Sequence, residues 1–201
     1  MCSPPLTPQA GPACGTFQLP ILAPASPAYR ITSGGVAAAI LPLRVAADCL
    51  RSVRPSDPAT RVMIDFSLTR AMTVPEHLAI DEAHDRMRRA GVRASLVLRG
   101  GPVIGLIRAG DIEAGRTMRL LRTHPQLQRA QVRVGDVAIP CEELPGADWD
   151  AIRYARVSDL RELFEAAGYS HLVVLERGTG TTLLRGLIAR ARLERQLGLF
   201  A

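Results

Sequence analysis

The sequence predicts an α+β fold in which two similar repeats pack pseudo-symmetrically behind an irregular, proline-rich N-terminal arm. The first observation is a repeated helical pattern. Residues 80–91 and 157–168 place apolar side chains at the same helical spacing, and each segment ends in a glycine, Gly91 and Gly168. One copy is too small to bury its own apolar face, so the two copies should pack together. A cleft at their interface is then the natural place for a ligand.

The second observation is that two short apolar segments follow each helix. They are 95–98 and 103–107 in the first copy, and 172–175 and 184–188 in the second. Each repeat therefore has the predicted order short strand, helix, strand, strand, helix. This order combines a crossover with a hairpin, which gives a small mixed sheet with helices on one face.

The third observation is a change of composition along the chain. Residues 1–56 are rich in proline and alanine, and prolines at this density remove the backbone donors that helices and sheets need. We expect a partly disordered arm, with a short helix within residues 35–53. The first repeat and its connector then occupy residues 57–130, and the second repeat occupies residues 131–201.

The ends of the two repeated helices carry recognisable signals. Asp81 and Ser158 precede most of the apolar positions, and both residue types cap helix N-termini. We expect them to be the N-caps. Gly91 and Gly168 suit the left-handed position that ends a helix.

The basic residues are unusual because all 25 are arginine, and the formal net charge is +6. A genome biased toward arginine codons explains this, and an anionic partner is the functional alternative. The arginines are scattered among acids, which favours the first explanation. Nucleic-acid binding is a weaker option because aromatic residues, which stack on single strands, make up only 4% of the chain.

The expected location is the cytoplasm. The longest apolar stretch, residues 35–43, is too short to span a bilayer, and the N-terminus lacks a basic start and an apolar run. No Cys-x-x-Cys pair occurs, so we expect reduced thiols rather than a zinc site. The cysteines are Cys2, Cys14, Cys49 and Cys141.

Taken together, these segments resemble a tandem pair of CBS domains, the arrangement called a Bateman module, as found in stand-alone bacterial CBS-pair proteins. The segments that carry the resemblance in the first copy are 62–65, 72–74, the helix to Gly91, Val97 and 105–112. Those in the second copy are 134–137, the helix to Gly168, 172–174 and 186–193. The resemblance covers residues 57–198.

The resemblance implies a regulatory module and not an enzyme. Such pairs commonly bind AMP, ATP or S-adenosylmethionine between the repeats and modulate a partner protein. The alternative is a degenerate pair that binds no nucleotide and acts as a dimerisation or docking scaffold. CBS-like pairs often form flat homodimers through helix faces. The resemblance therefore implies a homodimer, and the candidate contact residues are Phe164, Leu163, Met87 and the apolar side of 112–121.

The family's ribose and phosphate motif is a glycine, two apolar residues, a serine or threonine, two further residues and an aspartate. In the first copy Gly105 and Asp111 are present, but Arg108 replaces the hydroxyl residue. In the second copy Ala189 replaces the hydroxyl residue and Arg192 replaces the acid. We therefore expect a ligand beside Asp111, whose carboxylate accepts the ribose hydroxyls, with Arg108 on a phosphate.

The predicted ligand-binding residues share a position on the strands and turn around this motif. They are Asp111, Arg108, Ile107, Met72, Val74, Val92 and Ala94, of which Met72, Val74, Val92 and Ala94 would form the adenine slot. Two alternatives stay open: Asp111 as the N-cap of the following helix, and Arg190, Arg192 and Arg195 as a solvated face rather than a phosphate patch.

Other chemistry is not indicated. The segment 178–182 lacks the lysine and the helix of a phosphate-binding loop, and a hairpin turn is the better interpretation. His77 and His84 have no third ligand at a suitable spacing, so no metal site and no cofactor beyond a nucleotide ligand are expected. No catalytic motif was recognised.

Overall fold

The structure, a computed structural model, describes residues 52–177 and 182–198 and the backbone of two short strands in the arm. The predicted helix within residues 35–53 and the turn at 178–181 lie outside these residues, as do Cys2, Cys14 and Cys49. The fold is α+β, as predicted. Among the described residues no helix is long and apolar enough to cross a membrane.

The elements follow the predicted order in both repeats, with a second short strand before the first helix of each and one additional short helix in the second repeat. The arm contributes β1 (Ile21–Leu22) and β2 (Arg30–Ile31). The first repeat contains β3 (Ile64–Asp65), β4 (Thr73–Pro75), α1 (Ile80–Arg89), β5 (Ala94–Leu98), β6 (Val103–Arg108) and α2 (Ala109–Glu113). The connector contains α3 (Gly115–Thr123), and α4 (Val134–Val137) lies at the start of the second repeat. The second repeat contains β7 (Ile139–Pro140), β8 (Gly146–Asp148), α5 (Trp149–Ile152), α6 (Val157–Ala167), β9 (His171–Arg177), β10 (Thr182–Ala189) and α7 (Arg190–Gln196). Short 3-10 turns lie at Ala59–Arg61, Arg129–Gln131 and Cys141–Glu143.

The two sheets exchange their first strands. One sheet has the order β4-β5-β6-β7, so a strand of the second repeat completes the sheet of the first. The other has the order β1-β8-β9-β10-β2, and β3 of the first repeat pairs with β10. The registers match: Gly105 lies opposite Pro140, and Gly186 lies opposite Asp65.

The core has three layers of apolar contacts. Phe164, Leu160 and their neighbours fill the space between α6 and the second sheet, and Met87, Ile80 and their neighbours do the same for α1 and the first. A third cluster, which includes Leu96, lies between the two sheets. Each sheet therefore has helices on one face and the other sheet on its opposite face.

This packing corrects the expected dimer surface. Phe164 and Met87 are at most 1% exposed within their own repeats, so they offer nothing to a second copy. Leu163 is partly exposed, and Met118 is 41% exposed on the connector.

The helix starts also differ from the prediction. α1 and α6 begin one residue earlier, at Ile80 and Val157, so Asp81 and Ser158 lie inside the first turn and cap nothing. Backbone that is distant in the sequence supplies the missing acceptors, because the Ile80 N–H donates to the Val132 carbonyl and the Val157 N–H to that of Asp57. The exchanged segments thus satisfy donors that a side-chain cap would otherwise serve. The left-handed glycines are confirmed, with φ of 66° at Gly91 and 68° at Gly168.

Candidate functional site

A cleft of about 950 Å³ opens between the two repeats. One wall is the segment from Met63 to Met72, which connects β3 to β4. A second wall is the segment from Gly91 to Leu96, at the start of β5. The ends of β6 and β10, with the first residues of the helices that follow them, close the cleft from both repeats. The volume is within the range of pockets that bind small molecules.

Part of the predicted adenine slot lies on this cleft. Met72, Val92 and Ala94 line it, together with Leu96 and Leu187. The cleft therefore has an apolar wall that contains residues from both repeats.

Val74 and Ile107 do not line the cleft. Both are fully buried in the core between the first sheet and its helices. Successive side chains of a strand point to opposite faces, so the neighbours of Val74 and Ile107, and not these residues, are directed away from the helices. This placement corrects the expectation that they contact a ligand.

The Asp111 carboxylate already has a partner. Its two oxygens accept hydrogen bonds from Arg108 Nε at 2.5 Å and from the second terminal nitrogen at 2.8 Å. The Asp111 side chain is only 5% exposed. Asp111 was predicted to contact ribose and Arg108 to contact phosphate. In the structure the two side chains are instead paired with each other. The alternative of an N-cap is also wrong, because Asp111 is the third residue of α2 and caps none of its backbone.

Arg108 also joins the two repeats. Its other terminal nitrogen donates to the hydroxyl of Ser170, in the second repeat, at 2.6 Å. The hydrogen bonds to Asp111, more than the accompanying charge interaction, raise the pKa of the guanidinium. Arg108 therefore stays charged and holds α2 of the first repeat next to β9 of the second.

His171 lies beside this ion pair and on the cleft. Burial, followed by the positive charge of Arg108, lowers the pKa of its imidazole to about 4. Its Nδ1 lies 3.1 Å from the Ser170 hydroxyl. The imidazole is therefore neutral near pH 7 and adds no positive charge to the cleft.

The pKa of His171 predicts a loss of stability in mild acid. Unfolded His171 takes up a proton as the pH falls below about 6.5, whereas the folded protein does so only near 4, so acidification favours the unfolded state. Between pH 7 and pH 4.5 this group should cost about 2–3 kcal/mol of unfolding free energy. Urea denaturation of the wild type and of His171→Gln over this range measures it.

The comparison of the two proteins at pH 8 isolates the packing effect of the substitution, because His171 is neutral in both states there. The variant should lose less stability than the wild type on acidification. Parallel pH profiles would contradict the assignment to His171.

Several arginines line the same cleft. Arg70, Arg93 and Arg195 are exposed on it, and their guanidinium groups make no ion pair with any residue in 52–177 or 182–198. Arg192 lines it as well. Asp65, at the opposite side, is held by Arg185 at 3.0 Å, and the ring of Trp149 lies 4.5 Å from the Arg185 guanidinium. The unpaired charge on the cleft is therefore positive.

Sequence reasoning missed part of this site. Ser170 and His171 were not singled out, because their approach to Arg108 depends on the contact between the repeats. Arg70 and Arg93 gave no local signal, since they stand among many other arginines. Arg192 and Arg195 were weighed as a solvated face, and the structure shows that they also line the cleft.

Within residues 52–177 and 182–198, no three histidine, cysteine, aspartate or glutamate side chains come together in a way that could bind an ion.

These features define an α+β protein of two pseudo-symmetric repeats around a shared cleft. Residues 61–114 match the family model of the CBS domain. This match confirms the resemblance for the segment that spans most of the first repeat. No curated protein sequence matches the chain at a significant level.

Solved structures with a similar arrangement include an uncharacterized conserved protein from Pyrococcus horikoshii. It has a TM-score of 0.49 and 16% identity, over 70% of this chain and 92% of that one. Another is the CBS domain of a bacterial CNNM/CorC family Mg²⁺ transporter in complex with ATP, with a TM-score of 0.48 and 10% identity, over 72% and 89% of the two chains. A third is CBSX2 in complex with AMP, with a TM-score of 0.45 and 15% identity, over 69% and 94%.

Proposed function

We propose that this chain is a non-catalytic regulatory module in which two CBS repeats bind an adenine nucleotide and thereby modulate a partner protein. The observation that supports this most strongly is the cleft between the repeats. It combines an apolar wall with arginines that have no carboxylate partner among the described residues. An adenine nucleotide has the matching pair of properties, a flat base at one end and phosphates at the other.

The apolar wall suits the base. Met72 lies just before β4, Val92 and Ala94 lie at the start of β5, and Leu187 comes from the second repeat. A base inserted there would contact both repeats at once. Methionine suits such a slot because its thioether adapts to an aromatic ring.

The charge of the cleft favours a phosphate-bearing ligand over S-adenosylmethionine. Arg70, Arg93 and Arg195 can each donate hydrogen bonds to phosphate oxygens, and such charge-assisted bonds are among the stronger ones in proteins. S-adenosylmethionine instead brings a sulfonium cation into a cleft that is already positive. We therefore expect ATP and AMP to bind, with ATP the tighter because it carries more charge.

Regulation requires a conformational equilibrium that the nucleotide biases. The contact from Arg108 to Ser170 crosses between the repeats on the edge of the same cleft. A nucleotide that enters the cleft between the repeats would change their relative position and thereby weaken this contact. The relative position of the two repeats is then the signal that a partner protein can sense.

A thermal-shift and calorimetry panel tests the nucleotide proposal. The ligands are ATP, AMP, adenosine and S-adenosylmethionine, each from micromolar to millimolar concentration. At 100 times its Kd a ligand stabilises the folded state by about 2.7 kcal/mol, which is readily measured as a rise in Tm. The expected order of stabilisation is ATP, then AMP, then adenosine and S-adenosylmethionine.

Ala94→Leu is a useful variant because the added side chain would occupy the apolar wall of the cleft. It should weaken ATP and adenosine alike, since it acts on the base. Arg119→Ala, a change on the exposed face of α3, is the matched control and should leave binding unchanged. Nucleotides that cause no shift at millimolar concentration would contradict the proposal.

The second candidate function is a docking or dimerisation scaffold without a nucleotide. It is favoured by one specific observation, the Arg108–Asp111 ion pair, which occupies the carboxylate that the family's motif offers to ribose. In that case the chain should form a homodimer at micromolar concentration whether or not ATP is present, and light scattering would detect it. Leu68, Met118 and Tyr154 are the large apolar side chains most exposed among the described residues, and they are the candidate contacts.

A further inference from the structure

We infer that the module binds one phosphate-bearing ligand per chain rather than two, because the pseudo-symmetry that duplicates the fold inverts the charges around the cleft. That the ligand also carries an adenine base rests on the proposed function. The number and position of the anion sites rest on the charges alone. At four pairs of equivalent positions the residue is arginine on one side and acidic or neutral on the other. One half of the pseudo-symmetric arrangement therefore has the positive charge that binds an anion, and the other half does not.

The strand registers define which positions are equivalent. In the first sheet Ala94 lies opposite Arg108, and in the second sheet His171 lies opposite Ala189. Residues just before the hairpins are therefore equivalent when their numbers differ by 77. Residues just after the hairpins are equivalent when their numbers differ by 81. The hydrogen bonds agree, because the Ala109 N–H donates to the Arg93 carbonyl just as the Arg190 N–H donates to that of Ser170.

Four pairs of equivalent positions differ in charge in one direction, and the pair Arg108 and Ala189 differs in the other, with the charge of Arg108 neutralised by Asp111. Arg192 occupies the position of Asp111, and Arg195 occupies that of Ala114. Arg93 occupies the position of Ser170. A fourth pair precedes the first sheet strand of each repeat: Arg70 stands three residues before β4, and Glu143 stands three residues before β8.

The acidic half is neutralised from within the chain. Asp111 is held by Arg108, and Glu143 is held by Arg116, whose guanidinium also donates to the Ala138 carbonyl at 2.8 Å. Both arginines lie on the same half as the acids that they pair with. A ligand phosphate at this half would have to displace a carboxylate from each arginine and then lie beside it.

Three arginines of the basic half are not neutralised in this way by any described residue. Arg70, Arg93 and Arg195 make no ion pair with the residues of 52–177 and 182–198. They come from three different segments, the β3–β4 connection, the start of β5 and α7, yet all line the one cleft. Three separate segments that present cations to one cavity favour a ligand with several anionic oxygens, such as a di- or triphosphate.

Calorimetry with ATP and with inorganic tripolyphosphate tests this inference. The full chain should bind one ATP, and the Arg93→Ala/Arg195→Ala double variant should bind it at least tenfold more weakly. Arg116→Ala is the matched control, because it removes one arginine of the other half, outside the cleft lining. It should change the Kd less than twofold. Circular dichroism and Tm establish that all variants fold.

The outcomes separate this inference from the proposed function. Two ATP per chain, or a loss at Arg116→Ala as large as that of the double variant, would overturn the single-site inference and leave the nucleotide proposal intact. Tripolyphosphate that binds once and depends on Arg93 and Arg195, with no preference for ATP, would support the anion site and overturn the nucleotide proposal. No binding of either compound would overturn both.

Discussion

Gly105→Ala should destabilise the protein by about 3 kcal/mol or more, or prevent folding, although it adds only a methyl group. A Cβ at this position would overlap the carbonyl oxygen of Ile139 and lie 3.3 Å from the Cα of Pro140. Both atoms belong to the backbone of β7, the strand that the second repeat contributes to the first sheet. Overpacking a rigid site usually costs about 1–3 kcal/mol, and here relief requires that the exchanged strand move away.

Gly110→Ala is the matched control for this variant. Gly110 lies in α2, and an added Cβ there meets nothing within 4 Å. Alanine in a helix interior is more favourable than glycine by about 0.5–1 kcal/mol, so the control should be neutral or slightly stabilised. Urea denaturation followed by circular dichroism compares the two. A Gly105→Ala protein as stable as the wild type would show that β7 is not fixed against β6.

Gly186→Ala should behave like Gly105→Ala, since its Cβ would lie 2.7 Å from the Ile64 carbonyl oxygen. The other close atoms there belong to the Met63 side chain, which can move. We therefore expect the effect at Gly186 to be the smaller of the two.

Arg108→Leu should destabilise the folded state by about 3 kcal/mol. The substitution leaves the Asp111 carboxylate without its two charge-assisted hydrogen bonds, at a position where only 5% of the side chain is exposed. Removing one partner of a buried ion pair typically costs about 3–5 kcal/mol, and the 31% exposure of Arg108 places this pair at the lower end. Urea denaturation at pH 7 measures the loss.

The double variant Arg108→Leu/Asp111→Leu distinguishes a lost ion pair from lost packing. Replacing both charges with apolar side chains removes the uncompensated carboxylate, so most of the stability should return. Ser170→Ala keeps the ion pair but removes the hydroxyl that accepts from Arg108 and contacts His171 Nδ1, and it should cost about 1 kcal/mol. A double variant that is as unstable as Arg108→Leu would contradict the role of the buried charge.

The repeated elements could be predicted from the sequence because they depend on local patterns. Apolar spacing is enough to place α1 and α6, and Gly91 and Gly168 end these helices in the left-handed conformation as expected. The hairpin β5–β6 and its counterpart β9–β10 followed from short apolar segments separated by a turn. The order of elements in each repeat is therefore contained in stretches of fewer than about 20 residues.

The exchange of strands could not be predicted in the same way. β3 and β7 are two residues long, and they pair with strands that lie far away in the sequence. No periodicity can mark so short a strand. The helix starts at Ile80 and Val157 were misplaced for the same reason, because distant backbone satisfies their N–H groups.

The candidate site was predicted in part. The segment from Gly105 to Asp111 does reach the cleft, but the pairing of Arg108 with Asp111 was overlooked, although residues three apart at a helix start can meet. Strand alternation would have placed Val74 and Ile107 toward the helices. The contribution of Arg195 and Arg93 depends on how the repeats face each other, which their local sequence does not contain.

The exchanged strands also bear on how this molecule gains and loses its structure. Each sheet is complete only when both repeats are folded, because β7 closes the first sheet and β3 joins the second. The two repeats therefore cannot act as independent folding units, and neither sheet is assembled until contacts between distant parts of the chain have formed. Such long-range pairing is slow to form, but it makes unfolding cooperative. Loss of strand pairing at the edge of one sheet therefore also destabilises the other sheet, without any hinge or linker between them.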